Sequence, residues 1–73
     1  METIKNIEIG TKLKELRKER RLTQEELAQK LNLSRVNYTR YETNKVRPDY
    51  ETLLLIADFY EISVDELFGR KYY

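Results

Sequence analysis

Near the start of the chain, apolar residues recur at Ile9, Leu13 and Leu16 inside a run otherwise made of Lys, Glu and Arg. Spacing of three and four is the period of one stripe on an amphipathic helix, so a first helix is expected to run to about Arg20. Thr23-Gln24-Glu25-Glu26 then has the form of a capping box, in which the Thr hydroxyl accepts from an amide three residues on and Glu26 reaches back. A second helix starts there, with Leu27, Ala28 and Leu31 on one side, and stops near Asn32, a residue that tolerates left-handed backbone. Ser34 is a fresh cap only two residues later, so the third helix, Ser34 to Glu42, follows after a very short turn. Within it Tyr38 and Tyr41 face inward, while Arg35, Val36, Thr39 and Arg40 point elsewhere.

Thr43 to Pro48 reads as a polar loop, and the single Pro holds Arg47 extended. Asp49 caps a fourth helix whose Tyr50, Leu53, Leu54, Ile56, Ala57 and Tyr60 are expected to form a wide apolar face. Ser63-Val64-Asp65-Glu66 is a second capping box, opening a short fifth helix that buries Leu67 and Phe68 before Gly69 ends it. No repeat, low-complexity tract or linker divides the chain. The expected organisation is an extension over 1–8, one domain over 9–69 and a tail over 70–73.

Composition narrows the function. Seventy-three residues allow one modest core, since a chain this short buries only about 60% of the surface its unfolded form exposes. With no Cys and no His, the usual zinc ligands and the commonest neutral-pH base are missing. Neither a metal, a cofactor nor enzymatic chemistry is expected. No apolar run approaches the roughly 20 residues that span a bilayer, so a cytoplasmic protein with no membrane partner is expected.

The net charge of +1 conceals a division. From Lys12 to Arg47 eleven basic residues face five acidic ones, a net of +6, and the remainder carries three basic against eight acidic, a net of −5. Such polarity suits a polyanion meeting one face, although ordinary solvated helix faces produce similar runs.

Five short helices, the second and third joined by a tight turn, form the arrangement that lays one helix in a DNA major groove. The text KLKELRKERRLTQEELAQKLNLSRVNYTRYE, then NKVRPDYETLLLIADFYEISVDELFG, resembles the Cro and phage-repressor (Xre-type) helix-turn-helix domain over Ile9 to Gly69. The resemblance implies an all-α, five-helix, lambda-repressor-like fold that binds double-stranded operator DNA and regulates transcription, most simply as a repressor. A protein-interaction or antitoxin-like module on the same fold is the alternative.

Carried over by position, the resemblance makes Arg35, Val36 and Arg40 base-reading residues. An Arg fork matches guanine O6 and N7, and Val packs on a thymine methyl. Gln24, Ser34, Asn37, Thr39, Lys45 and Arg47 become contacts to the DNA backbone, with Gln24 also able to brace the third helix. Arg17 and Glu42 are implied to form a partly buried ion pair that sets the angle of that helix. Members of the family usually act as symmetric dimers or tandem pairs, and Leu55, Phe59, Tyr72 and Tyr73 are the apolar candidates for a homodimer contact. Tyr38, Tyr41, Tyr50 and Tyr60 fall on apolar stripes and are expected in the core. The chain departs from the family at Arg21, Asn32, Asn44 and Glu61, where many relatives place Gly, and at Tyr38, where Ile is usual.

Overall fold

The computed structural model describes residues 9–69 as five helices: α1 Gly10–Glu19, α2 Gln24–Lys30, α3 Arg35–Glu42, α4 Tyr50–Tyr60 and α5 Val64–Leu67. Four of the five start at side-chain caps. Thr23 and Ser63 each close a reciprocal capping box, with Glu26 and Glu66. Ser34 accepts from the Asn37 amide and Asp49 from that of Thr52. Each such cap removes one orphan donor and is worth about 1 kcal/mol.

α1 is the exception, because Ile9 has no capping side chain. Its first amide, Gly10 N–H, instead donates to Asn44 Oδ1 at 3.0 Å, across the molecule from the loop after α3. That approach requires Gly at position 10: a Cβ there would collide with the Glu42 backbone carbonyl.

Helix ends repeat one device. Arg21, Asn32, Asn44 and Glu61 have φ of 57, 58, 61 and 58°. Each donates its amide three residues back, and the next residue (Leu22, Leu33, Lys45 or Ile62) donates five back. This is the Schellman pattern, which satisfies the last carbonyls of a helix and usually brings an apolar residue down onto it. Leu22, Leu33 and Ile62 do pack against the core, and Lys45 remains exposed.

The largest fully buried side chains come one from each helix: Leu13, Leu27, Tyr38, Ile56 and Leu67. α3 packs on both α1 and α2, and α4 on α5. Tyr41 is partly buried and meets the Tyr38 ring edge-on, with centroids 6.5 Å apart.

The wide face expected on α4 is narrower than its sequence suggests. Tyr50 is 71% exposed and Leu54 is also exposed. The inward stripe is partly buried Leu53 followed by buried Ile56, Ala57 and Tyr60, spaced by three and four; Tyr50 sits at the first helical position, one turn ahead of that stripe. The core place expected for Tyr50 is therefore corrected, while those for Tyr38 and Tyr60 hold.

Candidate nucleic-acid interface

α3 presents two unlike sides, and the difference starts with its cap. Ser34 accepts from the Asn37 amide, which fixes the direction in which the chain enters the helix after the Asn32–Leu33 turn. Arg35, Val36, Asn37 and Arg40 are then exposed, Val36 at 54%. Val36 and Arg40 lie four residues apart and so stack on one face. An exposed β-branched residue between two Arg side chains is poorly explained by folding, and two guanidinium groups are well suited to acceptor-rich surfaces. Lys45 and Arg47 are exposed in the loop that follows, and Ser34 is exposed with its hydroxyl proton still available to donate.

The opposite side is anchored by a carboxylate. Glu42 is 6% exposed and accepts from four donors on three helices. Arg17 Nε of α1 reaches Oε2 at 2.7 Å and Nη2 reaches Oε1 at 3.2 Å; Gln24 Nε2 of α2 reaches Oε1 at 3.0 Å; the Tyr38 hydroxyl reaches Oε2 at 2.5 Å. The Arg17 fork is also tied to the Leu22 carbonyl at 2.9 Å. Burial pushes the Glu42 carboxyl up, but the hydrogen bonds from Arg17, Tyr38 and Gln24 outweigh it and hold the group below its ordinary range. Burial, followed by donation to Glu42, pushes the Tyr38 phenol far up. The hydrogen bond to Glu42 raises Arg17 further, against the opposing effect of its burial.

Gln24 and Thr39 sit between the two sides, half-buried. The Thr39 hydroxyl donates to Gln24 Oε1 at 2.8 Å while the Gln24 amide donates to Glu42. Both groups proposed from sequence as backbone contacts are thus also braces between α2 and α3. One Gln24 N–H remains, as do the amides at the start of α2, whose helix geometry leaves them without intrahelical acceptors.

Among the apolar candidates for a dimer contact, Leu55 is 43% exposed. Phe59 is partly buried against the core, with the Arg20 guanidinium 5.6 Å from its ring centroid and 5.3 Å from that of Tyr60. Tyr72 and Tyr73 lie outside the described residues. No described helix is long and apolar enough to cross a membrane.

Three features escaped the sequence reading. Asn44 stands at a position where Gly is common, and nothing local marks it as the remote cap of α1. The core place expected for Tyr38 leaves its hydroxyl without a partner, although a buried phenol normally needs one and Glu42 stands four residues on. Arg20 covering Phe59 had no local signal.

The helix-turn-helix family model matches residues 13–67. Similar proteins include the HTH-type transcriptional regulator ImmR of Bacillus subtilis, 40% identical over 62 residues, which cover 85% of this chain and 49% of that protein. The immunity repressor protein of Bacillus phage phi105 is 38% identical over 63 residues, 86% of this chain and 44% of the repressor. The HTH-type transcriptional activator BcrR of Enterococcus faecalis is 39% identical over 65 residues, 89% of this chain and 32% of the activator. The chain spans half or less of the length of each.

Proposed function

The chain belongs to the Xre/Cro-type helix-turn-helix family, and from that premise we propose that it binds double-stranded DNA sequence-specifically and regulates transcription, as a repressor. The observation that carries this reading is the two-sided α3: Val36 and Arg40 on one exposed face with Arg35 exposed at the helix start, and a buried, four-donor carboxylate gripping the other side. A helix held so firmly from behind, with two forked cations and a methyl-bearing side chain in front, has what base reading in a major groove requires.

In this reading Arg35 and Arg40 contact guanine edges and Val36 contacts a thymine methyl. Ser34, Asn37, Lys45, Arg47 and the N-terminal turn of α2 with Gln24 contact phosphates, fixing register without reading sequence. Thr39 serves the backbone contact indirectly, by orienting the Gln24 amide. No covalent chemistry is involved, and a cytoplasmic setting follows from the DNA partner. Two copies pair through Leu55; Phe59 supports that contact less, being half covered by the core and Arg20.

Selection of bound sites from a random duplex library tests the proposal. A recurring motif is expected, and a palindrome would also give the half-site spacing of a dimer. Arg35→Ala and Arg40→Ala should each weaken binding to the selected site by about 1–3 kcal/mol and relax one base position, whereas Lys45→Ala should weaken all duplexes alike and reduce the salt dependence. Recovery of no motif, or equal loss on selected and scrambled duplexes for both Arg variants, would overturn it.

A further inference from the structure

The hydrogen bonds behind α3 close into a ring that begins and ends on adjacent residues. The Tyr38 hydroxyl donates to Glu42, Gln24 donates to the same carboxylate, and Thr39 donates to Gln24. Three members of this ring belong to α3 and one to α2; Arg17 extends it to α1. A carboxylate has about four lone-pair directions, and the four donors on Glu42 occupy them.

Tyr38 is the member that a purely apolar core would not include. Its side chain is fully buried, and a hydroxyl in such a place needs a partner. The hydroxyl makes the shortest contact to Glu42, 2.5 Å. It bonds within α3, four residues along, and so does not itself join helices. What it does is orient the carboxylate. The terminal torsion of a Glu side chain is broad and weakly determined; the Tyr38 donor holds Oε2, which leaves Oε1 toward Gln24 and both oxygens toward the Arg17 fork.

Resting on the DNA-binding reading, we propose that Tyr38 is a positioning residue for sequence discrimination: by pinning Glu42 it fixes the roll of α3 against α1 and α2, and thereby the register of the side that reads bases. Attraction to phosphates does not depend on that roll, but base contacts do. A helix free to roll must be ordered at the moment of specific binding, so affinity for the correct site falls by the fraction of molecules in the competent orientation, while binding to random DNA is untouched.

The test is Tyr38→Phe in the full chain, measured by fluorescence anisotropy well below its melting temperature. The probes are the duplex selected by the wild-type protein and a scrambled duplex of equal length. The Kd for the selected duplex is expected to rise roughly tenfold, the scale of one hydrogen bond to a charged group, with scrambled binding within about twofold. Tyr38→Met also removes the hydroxyl while keeping a long apolar side chain that adapts to the core, and should lower the ratio in the same way; it carries the test if Tyr38→Phe does not fold. An unchanged ratio in the variant measured, whether through no effect or equal loss on both duplexes, overturns the role. If the wild-type protein selects no site, the DNA-binding reading fails first and takes this role with it, an outcome distinct from a wild type that selects a site and a variant that discriminates equally well.

Discussion

Replacing Glu42 by Ala removes the acceptor on which α1, α2 and α3 converge. The side chain is 1% exposed and that of Arg17 12%. In the variant Arg17 keeps its bond to the Leu22 carbonyl, but its Nε and Nη2 lose their partner, as do Gln24 Nε2 and the fully buried Tyr38 hydroxyl. Breaking a buried pair by deleting one partner costs about 3–5 kcal/mol; because Arg17 can turn partly toward water, the lower end, about 3 kcal/mol, is expected. A domain of this size has roughly 4–11 kcal/mol of stability in all. At about 4–8 °C per kcal/mol, the melting temperature followed by circular dichroism at pH 7 should fall by roughly 12–24 °C. A fall below about 4 °C would refute the reasoning. Acid adds a check of sign. Because the folded carboxyl lies below the ordinary value of 4.5, its contribution is full above that pH and is lost as pH drops through the depressed folded value. The stability gap between wild type and Glu42→Gln should therefore be constant from neutral pH to about 5 and shrink below 4.5. Glu26 and Asp49, lowered by their cap hydrogen bonds, titrate in both proteins and cancel from the difference.

Other substitutions probe the frame around this centre. Gly10→Ala puts a methyl group 2.8 Å from Asn44 Nδ2 as well as against the Glu42 carbonyl; urea unfolding should show a loss of about 1–3 kcal/mol, and full stability would mean that the entry of α1 shifts freely. The Tyr60 hydroxyl is buried with no partner among the described residues, and burial pushes its phenol up to about 12. Tyr60→Phe should accordingly leave stability within about 0.5 kcal/mol or raise it, and a loss above about 1 kcal/mol would reveal a bonded hydroxyl. Glu61→Gly relieves a left-handed residue at φ 58° and should raise stability by up to about 1 kcal/mol after the entropy of the freer unfolded chain is subtracted; a lower melting temperature would show that the Glu61 side chain has compensating contacts.

What could be read from the chain alone was whatever a residue decides within one helical turn. The caps at Thr23, Ser34, Asp49 and Ser63 reach only three residues ahead, so their spacing announces them, and the burial of Leu13, Leu27 and Ile56 follows from the periodicity of the helix that carries each. The exposed pair Val36 and Arg40 follows from the same helical period once α3 has its start, whereas that period sets Arg35 in line with buried Glu42 and its exposure comes from its place at the helix start. Tertiary packing decided the rest. Left-handed Arg21 and Glu61 run against residue preference and are held by the Schellman bonds and by the burial of Leu22 and Ile62 beyond them. Tyr50 and Leu54 are as apolar as their buried neighbours, and their exposure depends on where α4 crosses the other helices. Gly10 with Asn44, and Glu42 with its donors on α1 and α2, are separated by 18 to 34 residues. No local rule brings such groups together, because the angles between helices are set by side chains interlocking across the core and not by any one segment.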